Sequence, residues 1–90
     1  MSVKANMSDI LKNVTGQKEP VQIFANTPLE CLQKMTDRFP VLNKWLYDEP
    51  GKLKSYIWIL VNDERIYEDE FDKTMQDNDR LFIMVAVVGG

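Results

Sequence analysis

The chain contains no histidine and a single cysteine, Cys31. Without imidazoles there are no Ser-His or Cys-His nucleophilic pairs and few routes to a transition-metal site. One thiol cannot form an internal disulfide. A glycine-rich phosphate loop is also missing, because the only adjacent glycines are the last two residues. No apolar run approaches the length of a membrane span. Positions 1–11 mix Lys4, Asn6 and Asp9 with apolar residues, unlike a secretory signal. These absences predict a cytoplasmic protein with no membrane association. The sequon Asn13-Val14-Thr15 is then incidental, since glycosylation needs a secretory route. Basic residues number 11 against 14 acidic ones, a net charge of −3. A nucleic-acid binder carries a basic stripe, so no nucleic-acid partner is expected. The overall charge mildly favours a basic partner surface.

The 90 residues are enough for one domain, with 44% hydrophobic and 28% charged residues as in ordinary globular proteins. Val3 to Met7 and Val21 to Phe24 read as two short strands forming an opening hairpin. Ser8-Asp9 resembles a helix cap with a short turn after it, and residues 15–20 are a turn cluster. The clearest helix start is Thr27, an N-cap followed by Pro28 at the first helical position and Glu30 three residues after the cap. Leu29, Leu32, Met35 and Phe39 form its expected apolar stripe, and Pro40 ends it. A second helical piece is expected over 41–47. Tyr56 to Val61 is the strongest strand, Asn62-Asp63-Glu64 turns the chain, and Arg65 to Tyr67 reads as a short edge strand. The acidic stretch 68–73 reads as loop. Leu81 to Val87 is the closing strand.

One main helix covers one face of a sheet, so this order predicts a two-layer α+β domain. Its sheet is mixed and four- to five-stranded, with the first and last strands as central neighbours and a short second helix. The domain is expected over 1–86, with a flexible tail over 87–90. Both long strands are apolar on both faces. Ile57, Ile59 and Val61 share one face, and Trp58 and Leu60 the other; Leu81, Ile83 and Val85 alternate with Phe82 and Met84. With the helix on one side, Trp58, Leu60, Phe82 and Met84 are left as an apolar patch of unusual size for a small monomer. A covering loop, a dimer contact and a docking surface for a partner enzyme are the alternatives.

The carboxylates at Asp63, Glu64, Glu68, Asp69, Glu70 and Asp72 read as solvated surface, and no metal site is expected. Asp77-Asn78-Asp79 lacks calcium-loop spacing. Cys31, next to core Leu32, reads as a small, partly buried, inert thiol. What stands out is the end of the sequence. Two terminal glycines arise by chance in roughly 0.5% of chains, and here they follow a core strand through Val87 and Val88. Glycines without Cβ allow close backbone approach, which suits insertion into another protein's narrow site. There the Gly90 carboxylate would be activated by adenylation, and sulfide or a persulfide would displace AMP to leave a thiocarboxylate.

Several ordered motifs carry a family resemblance over roughly 15–90. Val61-Asn62-Asp63-Glu64 resembles the Val-Asn-x-Glu of the ThiS/MoaD family of ubiquitin-like sulfur carriers. The stretch Thr74-Met75-Gln76-Asp77-Asn78-Asp79-Arg80-Leu81 resembles its Thr-x-Leu-x-Asp-Gly-Asp-x-Val, and residues 83–90 resemble its closing Ile-x-Pro-x-Val-x-Gly-Gly. Thr27-Pro28-Leu29 stands where the family's helix opens, and Phe39-Pro40-Val41-Leu42 resembles its Tyr-Pro-x-Leu. Asn78 replaces the usual glycine and Val85 the usual proline. The resemblance implies a β-grasp fold. It also implies a carrier, not an enzyme, that acts at Gly90, with Gly89, Val88 and Val87 presenting it. The protein itself would bind no cofactor; ATP would be used by an adenylating partner. Further partners implied are a sulfur-accepting synthase and a metalloprotease that releases product. Pro50-Gly51-Lys52-Leu53 and the helical insert around Trp45 resemble carriers of cysteine or homocysteine synthesis. The alternatives are the small subunit of molybdopterin synthase, whose usual Pro-Pro-Val ending is absent here, a ubiquitin-like protein modifier, and a non-covalent module using the Trp58/Phe82 face.

Overall fold

The structure, a computed structural model, describes residues 2–49 and 51–86. Strand β1 (Ser2–Met7) leads into helix α1 (Asp9–Thr15), strand β2 (Val21–Phe24) and the main helix α2 (Pro28–Arg38). Helix α3 (Leu42–Leu46) runs directly into a small hairpin, β3 (Tyr47–Glu49) and β4 (Lys52–Leu53). Strands β5 (Ile57–Val61) and β6 (Glu64–Ile66), a 3-10 turn (Glu68–Glu70) and the closing strand β7 (Arg80–Val85) complete the chain. Five strands form one mixed sheet in the order β2-β1-β7-β5-β6, while β3 and β4 pair separately. The expected two-layer α+β architecture is what is observed. In particular, β1 and β7 are parallel neighbours, and β7 is the middle strand.

Helix α2 begins as its sequence dictates. The Glu30 N–H donates to the Thr27 hydroxyl at 3.1 Å, and Pro28 fills the first helical position, where its missing N–H leaves no bond unmade. The Glu30 carboxylate reaches past the cap and accepts the Asn26 N–H at 2.6 Å. The buried stripe is Pro28, Cys31, Leu32, Met35 and Thr36. These are positions i, i+3, i+4, i+7 and i+8 of one helical face. Leu29 is not among them: it is 43% exposed, because the stripe starts from Pro28 and one residue onward is a turn of about 100°. This stripe packs into one core with Val3, Ala5, Met7, Ile59, Leu81 and Ile83.

Three features differ from the sequence-based expectation. The connection between β1 and β2 carries a full helix, closed by Gly16 in the left-handed region (φ 76°), whose N–H returns to the Lys12 carbonyl. Tyr47 is a strand residue, since the backbone turns extended there (φ −119°, ψ 134°) and pairs with Leu53. The closing strand ends at Val85, and Val87 lies outside the described residues. The turn at Asn62 and Asp63 has positive φ at both residues (50° and 72°), the geometry that matches hairpin twist.

Asn78 also lies in the left-handed region, at φ 68°. Its backbone N–H bonds the Ser2 carbonyl at 2.8 Å, so this conformation is needed to dock the turn on β1. We expect Asn78→Gly to leave the urea unfolding midpoint nearly unchanged. Asn78→Val should lower stability by about 1–2 kcal/mol, because a Cβ-branched residue resists that region.

Candidate functional site

The site is built on β7, which hydrogen-bonds to a neighbour on each side. Antiparallel pairing with β5 places Trp58 opposite Met84 and Leu60 opposite Phe82. Parallel pairing with β1 aligns Asn6 with Phe82 and Met7 with Ile83. Where β7 begins, Asn62 acts as a clip. Its N–H donates to the Arg80 carbonyl, its Oδ1 accepts the Arg80 N–H, and its Nδ2 donates to Asp79 Oδ1, all at 2.9 Å. Asp79 Oδ2 accepts the Gln76 N–H at 2.8 Å, and Asp77 Oδ1 accepts the Ser2 N–H at 2.8 Å. The motif residues between 74 and 80 are therefore turn-forming and strand-starting groups.

The far end of β7 is tied just as closely. The Ser8 N–H donates to the Ile83 carbonyl at 3.0 Å. Its hydroxyl accepts the Val85 N–H at 2.9 Å and donates to the Ile83 carbonyl at 3.4 Å. On the other side the Ala86 N–H donates to the Tyr56 carbonyl at 2.7 Å. Ser8 stands at the cap position of α1 yet makes no side-chain cap bond; its hydroxyl serves the strand instead. The sequence reading missed this role because Ser8 and Val85 are 77 positions apart. Val87, Val88, Gly89 and Gly90 follow Ala86 and lie outside the described residues.

The two faces of the sheet divide as alternation requires. Ile57, Ile59, Leu81 and Ile83 are buried under the helix layer, and Val61 and Val85 pack against that core. Trp58, Leu60, Phe82 and Met84 lie on the opposite face and are half-buried. The register makes them a compact two-by-two block. Arg65 stacks over Trp58, its guanidinium carbon 4.0 Å from the ring centroid.

The other candidates offer less. Cys31 is fully buried, deeper than the partial burial expected, and burial pushes its thiol up from 9.0 to about 12, with the neighbouring Glu30 carboxylate adding to the effect. Of the acidic run, Asp63 pairs with Arg80 at 3.1 Å and Glu70 with Lys73 at 3.7 Å. No cluster of three metal-ligating side chains occurs among the described residues. A cavity of about 750 Å³ lies between α2 and the β3–β4 hairpin, on the helix side. Its titratable lining groups, Lys44, Tyr47, Asp48, Glu49 and Glu68, make no side-chain hydrogen bond to one another. No helix among the described residues is long and apolar enough to cross a membrane.

A five-stranded mixed sheet under one long helix, with the closing strand in its middle, defines a β-grasp, ubiquitin-like protein. Known proteins narrow the class. No family model matches the chain. It is 28% identical to the sulfur carrier protein CysO of Mycobacterium tuberculosis, over all of both chains. It is 30% identical to a chain in the crystal structure of the Amycolatopsis orientalis BexX/CysO complex. That match covers 98% of this chain and 99% of the other, with a TM-score of 0.81. SAMP1 from Haloferax volcanii, at 22% identity, shares the fold over the full length of both chains with a TM-score of 0.85. The chain belongs to the ThiS/MoaD-like family of ubiquitin-like sulfur carriers.

Replacing Ser8 with alanine removes the hydroxyl that holds Val85. A loss of about 1 kcal/mol is expected, together with faster amide hydrogen exchange at Val85 and Ala86 than elsewhere in β7. Cys31 generates a pH dependence. Its thiol titrates near its ordinary value when unfolded and at about 12 when folded, so above pH 9 the unfolded state holds fewer protons. Stability should therefore fall as pH rises from about 9 towards 12. Cys31→Ala should flatten this slope in denaturation curves while lowering stability near neutrality.

Proposed function

We propose that the protein is a sulfur carrier of cysteine biosynthesis, working in the cytoplasm with its Gly90 carboxylate as the functional group. The full-length match to CysO carriers is the observation that supports this reading. The protein is a carrier, not a catalyst. A partner enzyme consumes ATP to join AMP to the Gly90 carboxylate. Hydrosulfide then attacks the carbonyl, AMP leaves with the C–O bond electrons, and a thiocarboxylate remains after loss of the sulfur's proton. The thiocarboxylate sulfur attacks the activated side-chain carbon of an amino-acid acceptor held by a synthase and expels its leaving group. A metalloprotease then hydrolyses the bond between Gly90 and the new amino acid, restoring the carboxylate.

The geometry suits this division of labour. Ser8 and Tyr56 fix the position and direction of Ala86. A partner that grips the sheet face needs a channel of no more than four residues' reach, about 14 Å, to meet the terminal carboxylate. Trp58, Leu60, Phe82 and Met84 are the surface for that grip, continuous along β7 with the tail. Similar proteins occur in complexes: CysO in the BexX/CysO complex, and a Helicobacter pylori protein of the same fold in a protein–protein complex of molybdopterin-converting factor subunits 1 and 2.

Intact-mass spectrometry of the protein isolated from its native cells is the direct test. A species with one oxygen exchanged for sulfur, lost when Gly90 is deleted, is the expected result. The deletion should leave the melting temperature unchanged. Sulfur transfer by the truncated protein would refute the proposal, and isopeptide-linked conjugates as the only modified species would point to a protein modifier.

A further inference from the structure

Arg65 lies on β6 directly opposite Leu60 of β5. Its guanidinium carbon is 4.0 Å from the Trp58 ring centroid and 4.6 Å from the Tyr67 ring centroid. Ring contacts use the flat faces of a guanidinium and leave its N–H donors, which point along its edges, free for other partners. Among the described residues no carboxylate oxygen comes within 4.0 Å of it and no group accepts a hydrogen bond from its side chain. Arg80 differs, since Asp63 engages it at 3.1 Å. The outward strand positions around the apolar block hold Lys4, Arg65 and Arg80 and no carboxylate; Asp63 neutralises Arg80 from the turn, and Glu68 and Asp69 line the pocket next to Arg65 without pairing with it. This local basic character runs against the net charge of −3, which suggested a basic partner. The same net charge opposes binding of an extended polyanion.

Resting on the sulfur-carrier reading, we propose that Arg65 is the polar anchor of the docking face. It receives a carboxylate that the adenylating enzyme presents beside its apolar contact with Trp58, Leu60, Phe82 and Met84. A guanidinium held by two rings is oriented before the partner arrives, so little side-chain freedom is lost on binding. Its planar fork makes two parallel N–H···O bonds to one carboxylate. The apolar block beside it excludes water from that pair, the setting in which interface arginines and aromatics carry most of the affinity.

The experiment is ATP–pyrophosphate exchange by the purified cognate adenylating enzyme, with the full-length carrier as varied substrate. Wild type is compared with Arg65→Gln, Arg65→Lys and Phe82→Asp at low and high salt, each variant's fold being checked by its thermal melt. Arg65→Gln is expected to raise KM about tenfold with kcat little changed, the loss of a charged hydrogen-bonded contact. Arg65→Lys should recover only part, because an ammonium lacks the two-point geometry. The rise of KM with salt should be weaker in Arg65→Gln than in wild type. If Phe82→Asp raises KM and Arg65→Gln does not, the anchor is wrong and the docking face stands. Full recovery by Arg65→Lys would overturn the bidentate contact. Failure of the wild-type protein to support exchange would overturn both the anchor and the carrier reading beneath it.

Discussion

Everything in this molecule depends on the hydrogen-bonded confinement of β7. It is the middle strand of five, so its backbone is bonded on both sides and cannot slip by one residue without inverting every side chain. The Asn62 clip and the Asp77-Asn78-Asp79 turn set where it starts. Ser8 and the Tyr56 carbonyl set where it ends. Register at one end and exit at the other are therefore determined together. The chain is therefore held as far as Ala86, the last residue before the four that carry the proposed function.

The same confinement separates two surfaces with different duties. One face of β5 and β7 lies under α2 and supplies the core; the other exposes an apolar block. A sheet that is apolar on both sides but covered on one is poorly adapted to solvent, and the cost is lowered by ring and guanidinium stacking at its edge. Arg65 covers part of Trp58. The charge of the whole chain and that of the outward strand positions differ in sign because the acidic residues lie in turns, helices, the β3–β4 hairpin and the 3-10 segment, while Glu64 on β6 is paired with Val61 on the other side of the sheet. Long-range attraction and local complementarity are thus separate properties of this protein.

The element order was legible because it rests on local rules. Thr27-Pro28 with Glu30 starts a helix wherever it occurs. Period-two alternation in 57–61 and 81–85 sorts side chains onto faces without knowledge of neighbours. Leu29 was misplaced because a helix stripe is defined by all its members, and the buried Pro28 shifted it. The helix between β1 and β2 was read as a short turn because seven residues with one buried apolar position, Leu11, give little periodic signal. Tyr47 was placed in the helical piece over 41–47 because the hairpin it opens has strands of only three and two residues.

The sequence by itself determined the α+β order, the two-sided apolar strands and the Gly89-Gly90 ending, all of which follow from short-range pattern and composition. Tertiary structure alone decided that Ser8 would bind the end of a strand 77 positions away instead of capping its helix. It alone brought Arg65 over Trp58 and left the guanidinium edges open. Both depend on which strands lie side by side. That choice is made by the packing of the whole chain, and no local stretch records it.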